Sequence, residues 1–471
     1  MLEAQLTGLL DDAAPGVDEA LGLVAGFDDC LVHGFARLGE ERAATLAAMA
    51  GALAGTPLGE RVGDAVGKIS AGSVGDEHLT ALAGARTALL GAVHDSLLGG
   101  LDAALGRTRE PWAEPAATVP DPTVDNLLTG CRSWLHELAV AGWHGVDQDL
   151  VSTSGQLLEG LLAEPRLRRL AVLVDGLAAE LRASSPIGTM DHLPVRRWAD
   201  LWTRALLLSQ TGVLPGFPAA STVSGRLLIL GVDVHEHATA VQIQVHGLLE
   251  PADGSAPRSV RTSVAAAKVD TIVGPAVWQL FGAHPVLLGA LARQHGLDVT
   301  DLPLLGSGDL VWHDDRASVG EPADPFATAR VLLAGATAPA VPPLERHPVR
   351  ISEPVLVEGY KATLDKESGV VTLALGGARV AVDPDRFPAC GPLTPKLVAG
   401  SSACVGLLRW DAGRWLLQPL AVRTTVKKVE VAVHGGDWAL GPTDPKVAKA
   451  QAKAGDAVDV LRERAGRLLR R

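Results

Sequence analysis

The sequence predicts an α+β protein with an all-helical amino-terminal half, an antiparallel β-rich carboxy-terminal half and a basic terminal helix. Apolar residues recur at steps of three or four up to about Pro215, which is the period of an amphipathic helix. Beyond that point they alternate with polar residues, which is the period of a half-buried strand. Proline-rich segments at 111–123 and 336–348 interrupt both patterns and mark candidate boundaries.

The helical half divides into two blocks. Residues 1–110 are rich in Ala, Leu and Gly in helical spacing, without strand-type alternation. Residues 124–215 form a second helical block, in which Trp198 and Trp202 lie four residues apart and are expected in a helix-helix seam. The joint at 111–123 holds four prolines, so we expect it to be extended and exposed.

Residues 216–335 are predicted to form an antiparallel meander with a helix. Three alternating runs carry this prediction: RLLILGVDV, TAVQIQVHGLLE and RSVRTSVAAAKV. The uncharged segment Thr271–Ala292 has the length of a membrane span, but Pro275 and Pro285 divide it into two short helical pieces. Shorter strands are expected at Leu310–His313 and Ala329–Leu333.

A second proline-rich joint, 336–348, precedes a last β unit at 349–440, and we expect this joint also to be extended and exposed. Two hairpin turns are indicated in the unit, at Gly376-Gly377 and at the segment 411–413. Meandering strands of this length predict a small barrel or sandwich, similar to an OB or SH3 barrel.

The final segment, 441–471, is predicted to be a basic helix that begins at Asp444-Pro445 and is weakened by Gly455. Eight cations against four acids give the stretch from Thr443 a charge of +4, while the whole chain carries −12. The cations are the candidate partner-binding residues: Lys446, Lys449, Lys453, Arg462, Arg464, Arg467, Arg470 and Arg471.

Composition and net charge limit the classes of function that we expect. An acidic chain of 471 residues with 47% hydrophobic content is expected to fold into a large core and not to cover its surface with nucleic acid or anionic lipid. The four cysteines lack metal-ligand spacing, and the amino terminus lacks a basic signal region, so we expect a cytoplasmic protein with free thiols and no membrane association. The bias toward Ala, Gly, Arg and Leu is typical of a GC-rich bacterial genome.

No complete catalytic or nucleotide-binding motif occurs. The segment GDAVGKIS at 63–70 has one residue too few between its glycines for a phosphate loop and no hydroxyl after the lysine. The motifs GxSxG, HExxH and SxxK are absent. We therefore expect no cofactor and no catalytic residues.

The most suggestive cluster is Asp233, His235, His237 and His246. Residues two apart on a strand share a face, and a hairpin brings His246 across from them, so two histidines and a carboxylate would suit zinc or iron. The simpler interpretation is the solvated face of an amphipathic hairpin, and under it the four side chains do not converge on a metal. A second acidic group, WHDDR at 312–316, is explained in the same way as a charged turn.

These observations leave three hypotheses. A helical array joined to small β modules without a catalytic set favours a non-enzymatic scaffold or interaction subunit of a bacterial cytoplasmic assembly, with protein partners. The first alternative is a metal-dependent enzyme that uses the cluster near 233–246. The second is a nucleic-acid-binding accessory protein that uses the β-barrel and the basic tail.

The terminal helix yields a testable prediction. Because its sequence is too polar for a stable isolated helix, it is expected to be ordered only where it docks. Deletion of 443–471 is expected to leave the fold of the first 440 residues intact while weakening assembly with a protein or nucleic-acid partner. Circular dichroism and pull-down of the truncated chain check both halves, and an unfolded product would identify the tail as core structure.

Overall fold

The helical half comes first in the chain, as predicted. The computed structural model describes residues 1, 3–11, 14–112, 122–211, 221–426 and 428–468. Among these residues the first strand begins at Ser221. The helices before it are α1 (Glu3–Asp11), α2 (Val17–His33), α3 (Glu40–Leu53), α4 (Gly59–Ser70), α5 (Asp76–Leu105), α6 (Pro122–Ala141), α7 (Gln148–Ser152), α8 (Ser154–Ala163), α9 (Arg168–Ala183) and α10 (Val195–Leu208).

One hydrophobic core joins α2 to α10, and Trp198 and Trp202 are fully buried in it, as the sequence predicts. The indole of Trp202 donates to the carbonyl oxygen of Leu135, which satisfies its polar atom. Helix α5 is by length and composition the one candidate membrane span within the described part of the chain. Its contacts with α2, α4 and α10 place it inside the helical core.

The first sheet contains the predicted meander. Its elements, in chain order, are β1 (Ser221–Glu236), β2 (Ala240–Pro251), β3 (Arg258–Ala267), α11 (Pro285–Arg293), β4 (His295–Leu304), β5 (Asp309–Leu310), β6 (Ala317–Pro322) and α12 (Pro325–Leu332). A 3₁₀ helix, Gly274–Phe281, precedes α11, so the uncharged segment is divided in two as expected. Its apolar side chains lie in the core of this sheet.

The second sheet and the tail complete the chain. They comprise β7 (Ser352–Glu358), β8 (Lys361–Leu364), β9 (Val371–Leu375), β10 (Ala378–Val382), α13 (Pro395–Ala399), β11 (Ser401–Asp411), β12 (Arg414–Val426), β13 (Val429–His434), α14 (Pro445–Ala454) and α15 (Ala457–Leu468). The predicted turns at 376–377 and 411–413 connect β9 to β10 and β11 to β12.

The two sheets share one order of strand pairing. In the first sheet β1 pairs with β2 and β4, β2 with β3, β3 with β5, and β5 with β4, so the pairs form a closed circuit. In the second sheet β7 and β8, which are separated by two residues, together correspond to β1 of the first sheet. The pairing order β8-β9-β10-β12-β11-β7 then matches the order of the first sheet. Each circuit has one parallel pair, β3–β5 or β10–β12, so the sheets are mixed and not wholly antiparallel.

The two sheets pack against each other through β1 and β12. Gly231 in β1 lies so close to Leu420 that an added Cβ would be 2.5 Å from the Cβ of that leucine. Helix α12 closes the same junction, with Phe326 fully buried between Leu230 of the first sheet and Val405 of the second. The junction is therefore a tightly packed core.

The helical half packs against the second sheet through α1 and the second half of α5. Val93, Leu97 and Leu101 of α5 belong to the core of that sheet. The joint at 336–348 runs along this contact: Arg109 Nη1 donates to the carbonyl oxygen of Ala338 at 2.9 Å. Most of the joint is half-buried, so the prediction that it is exposed is wrong.

Three further expectations from the sequence need correction. The segment at 329–333 lies largely in α12 and not in a strand, because Asp324-Pro325 caps and starts a helix there. The strand expected at 310–313 shrinks to the two-residue β5, while β4 and β6 were not predicted. The terminal helix is two helices, separated at Gly455, where φ is +85°.

Of the first joint, residues 113–121 lie outside the described residues. Pro122, which the sequence placed in that joint as a helix breaker, is the first residue of α6. A proline is well tolerated there, because the first helical residue needs no intrahelical N–H bond.

Replacing Gly231 with Ala is expected to destabilise the protein by about 1 to 3 kcal/mol, because the new methyl group collides with Leu420 in a packed junction. Urea denaturation measures the free energy of unfolding. Gly63→Ala is the matched control: it lies exposed in α4 with nothing near its Cβ, and is expected to be neutral or stabilising. Equal stability of Gly231→Ala and the unsubstituted protein would contradict the close packing of the sheets.

Candidate functional site

The predicted histidine cluster is only partly assembled. His235 Nε2 lies 3.0 Å from Asp233 Oδ2, and both side chains are on β1. His246 is buried on the neighbouring strand, opposite Gly231. His237 is exposed in the turn after β1, so it does not join the others. Within the described residues, no group of three or more His, Cys, Asp or Glu side chains is arranged to hold a metal.

Asp233 is bound instead by the second sheet. Its side chain is 2% exposed, and Gln418 Nε2 donates to its Oδ1 at 2.7 Å. Arg409 Nη1 lies 3.4 Å from Oδ2. Burial alone would raise the pKa of Asp233, but the hydrogen bonds from His235 and Gln418 and the charge of Arg409 outweigh it and hold the pKa far below its usual range. The cluster is therefore a polar contact between the sheets.

His246 belongs to this contact as a neutral side chain. Burial, reinforced by the charge of Arg261, lowers its pKa to about 3. Its Nε2 is buried without a hydrogen-bond partner among the described residues.

The acidic group at 312–316 has a structural role. Asp314 accepts hydrogen bonds from the backbone N–H groups of Val286 and Leu287, at 3.1 and 3.3 Å, and so caps the first turn of α11. The indole of Trp312 donates to the same carboxylate. Asp309 pairs with Arg261 at 3.0 Å.

The basic tail docks on its own chain. Ala457 is 3% exposed in the core of the first sheet, and its N–H donates to Gln279 Oε1 at 2.8 Å. The described cations point away from that contact: Lys446, Lys449, Lys453, Arg462 and Arg464 are exposed. The side chain of Arg467 and the whole of Arg470 and Arg471 lie outside the described residues.

A cavity of about 630 Å³ was not predicted from the sequence. It lies where α5, the start of α10, the joint and the turn between β11 and β12 meet. Six arginines and three carboxylates line it, and three of the arginines are paired with carboxylates behind the lining, Asp28, Glu180 and Asp95. The charged lining residues are Arg86, Arg196, Arg197, Arg204, Arg346, Arg350, Asp200, Glu345 and Asp411. We call this cavity the arginine cleft.

The inner wall of the arginine cleft is fixed by a buried ion pair. Arg86 is 1% exposed, and its Nε and Nη2 donate to the two carboxylate oxygens of Asp28 at 2.7 and 3.1 Å. Asp200, which lines the cleft, lies 3.7 Å from the same guanidinium group. This two-point pairing holds Arg86 rigidly in place.

Other cations of the cleft are not fully paired. Arg196 is exposed and has no side-chain hydrogen bond or ion pair within the described part of the chain. Arg204 has its Nε buried without a partner there. Helix α10 begins beside them after Pro194, which provides no side-chain cap, so the positive end of the helix dipole also lies at the cleft.

His347 adds a neutral imidazole to the lining. Burial lowers its pKa to about 4, although the nearby Asp200 carboxylate opposes the shift. His347 is therefore neutral near pH 7 and adds no charge to the cleft.

Comparisons with known proteins give no counterpart: no family model, no curated protein and no solved structure matches the chain. The choice of the arginine cleft as the candidate site therefore depends on its geometry alone. Its residues come from segments around positions 86, 200, 347 and 411, and only the spacing of four between Arg196, Asp200 and Arg204 is visible locally.

Replacing His246 with Gln is expected to make the protein less sensitive to acid. The pKa is about 3 in the folded chain, against 6.5 for an unperturbed histidine, so the unfolded chain binds the proton first as the pH falls. This contribution to stability is complete above pH 6.5 and declines toward pH 3. Between pH 7 and pH 5 the decline is on the order of 2 kcal/mol.

Urea denaturation of the unsubstituted protein and His246→Gln at pH 7 and pH 5 measures this difference. The matched control is His237→Gln, which changes an exposed histidine of the same hairpin and is expected to keep the original pH dependence. The same loss of stability in all three proteins would contradict a neutral, buried His246.

Proposed function

We propose that the chain is a non-enzymatic interaction protein that binds a phosphate-bearing partner in the arginine cleft. The observation that carries this proposal is the gathering of six arginines around a cavity of about 630 Å³, with Arg196 and the Nε of Arg204 lacking partners among the described residues. That volume lies within the range of about 300 to 1,000 Å³ typical of ligand sites. The expected setting remains a bacterial cytoplasmic assembly, as its composition suggests.

The chemistry of the lining favours phosphate. Arginine offers a planar fork of N–H donors that matches two oxygens of a phosphate, and it stays charged at every physiological pH. Arg196 has donors without partners in the described chain, and the uncapped start of α10 supplies backbone N–H groups beside it. Helix starts favour anions for the same reason.

The lining favours binding over catalysis. Among the described residues its lining has no Cys, Ser, Lys or Tyr side chain, and burial lowers the pKa of the His347 imidazole to about 4, below the range in which a base works best at neutral pH. Asp200 and Glu345 are paired with arginines. The alternative of a metal-dependent enzyme at Asp233 and His235 finds no support, because Gln418 and Arg409 already satisfy that carboxylate.

Binding of single-stranded nucleic acid is a second candidate. It is favoured by the strand circuits, which we interpret as two tandem barrels of OB type, a fold that presents its second and third strands to oligonucleotides. Gln242, Gln244 and Ser263 give those strands a polar outer face in the first sheet, and the exposed cations of the tail would add attraction for phosphates. The scarcity of aromatic side chains for base stacking weakens this candidate.

Isothermal titration calorimetry with pyrophosphate tests the proposal. The full chain is expected to bind, and Arg196→Ala and Arg350→Ala are each expected to weaken affinity about tenfold, since a hydrogen bond to a charged group contributes roughly 1.5 to 3 kcal/mol. Arg196 is suited to this test because no partner in the described chain depends on it. Arg226→Ala, which removes an exposed arginine of the first sheet paired with Glu250, is the matched control and is expected to change nothing.

Absence of pyrophosphate binding, or equal affinity in the cleft variants and the control, would contradict the proposal. A labelled single-stranded oligonucleotide, titrated at two salt concentrations, separates the second candidate. Salt-dependent oligonucleotide binding that survives both cleft substitutions would favour nucleic acid on the barrels and the tail.

A further inference from the structure

One carboxylate of the joint already occupies part of the arginine cleft. Glu345 closes a short 3₁₀ turn, Pro343–Glu345, and its oxygens accept hydrogen bonds from Arg204 at 2.9 and 3.1 Å. Arg350 lies 3.4 Å from the same carboxylate, and Arg169 also donates to it. Three guanidinium groups, from α9, α10 and the segment just after the joint, thus converge on the Glu345 carboxylate.

This arrangement exceeds what one carboxylate needs. A carboxylate pairs fully with one arginine fork, whereas three guanidinium groups around one anion match the charge and the several oxygens of a phosphate. The buried Nε of Arg204 is still without a partner in the described chain, although Glu345 is bound to the same side chain. Arg169 and Arg350 are about half exposed, with side-chain exposures of 44% and 55%, so an external anion can reach them.

We propose that Glu345 is an internal occupant of the phosphate site, and that a phosphate-bearing ligand displaces it and loosens the turn that presents it. The inference rests on the proposed function, since it concerns the same cleft. Glu345 competes because its tether keeps it at high effective concentration near the arginines. A diphosphate prevails because it carries more charge and more acceptor oxygens than one carboxylate.

Displacement has a structural consequence in the joint. The N–H groups of Glu345 and Arg346 donate to the carbonyl oxygens of Pro342 and Pro343, at 2.8 and 3.1 Å, and form the turn that presents the carboxylate. Arg346 is tied to α5 by its contact with Asp95 at 2.8 Å. Once Glu345 leaves its arginines, this turn loses its ion pairs with α9 and α10, while Arg346 still holds the following residue to α5, so the change is confined to the turn.

Glu345→Gln tests the competition directly. The amide keeps the shape of the side chain but not its charge, so pyrophosphate is expected to bind about tenfold more tightly than to the unsubstituted chain. Glu250→Gln is the matched control: it neutralises a carboxylate paired with Arg226 on the first sheet, and it is expected to leave affinity unchanged. If the unsubstituted chain binds pyrophosphate but Glu345→Gln binds it no more tightly, the inference about Glu345 is wrong while the proposed phosphate site stands.

Hydrogen exchange supplies a second readout. A ligand usually slows exchange of the amides it covers, but here pyrophosphate is expected to speed exchange of the Glu345 and Arg346 amides in the unsubstituted chain. In Glu345→Gln those amides are expected to exchange rapidly even without ligand. Slower exchange of both amides on binding would show that the turn stays in place, which overturns the displacement.

The binding results distinguish failure of the inference about Glu345 from failure of the proposed phosphate site. Pyrophosphate that binds to neither the unsubstituted chain nor Glu345→Gln removes the phosphate site itself, and with it both proposals. Binding that appears only in Glu345→Gln would show that the arginines accept phosphate but that the ligand does not displace Glu345, which overturns the displacement.

Discussion

The Asp233 carboxylate is the constraint on which the arrangement of the carboxy-terminal half depends. A carboxylate that is 2% exposed is strongly destabilising unless charged or polar donors surround it. Besides His235 on its own strand, its partners Gln418 and Arg409 belong to the other sheet, so the docking of the two sheets satisfies it. That docking brings Gly231 against Leu420 and sets the turn at 411–413 beside the helical half. The edge of the arginine cleft is thereby fixed by a contact distant from it.

Helix α5 links this junction to the rest of the chain. Its first half lies in the helical core and its second half in the core of the second sheet, so a single rigid element connects the two. The cleft forms beside this helix, where the joint crosses from one sheet to the other. This position of the cleft explains why the lining of the cleft comes from distant segments. It also explains why the ion pair of Arg86 with Asp28 is buried in the helical core while other arginines of the cleft are accessible.

The sequence predicted those features that depend on local periodicity. The helices before Pro215 and the three meander strands were correct, because a stripe of three to four residues or an alternation of two is visible in any short window. The segment HGLDVTDLPL does not reveal β4, since its polar residues break the alternation. The apolar run at 329–333 indicates a strand, but Asp324-Pro325 caps and starts the helix α12 there. The sequence indicated a solvated face for Asp233 and His246, which is wrong, because both are buried and the partners of Asp233 come from 409 and 418. The cleft depends on such distant contacts and was not predictable from one sequence.

The overall charge of the chain sharpens the argument for a compact anionic ligand. The chain carries −12, yet six arginines gather at one cleft. Clustered cations in a cavity attract an anion there, while the net negative charge of the chain disfavours a polyanion that covers much of its surface. Under the proposed function, a small phosphate compound would contact the cleft alone, whereas an extended nucleic acid would also contact the rest of the acidic chain. The distribution of charge therefore favours, for the proposed function, a small anion that fits the cavity over a long polyanion that covers the protein surface.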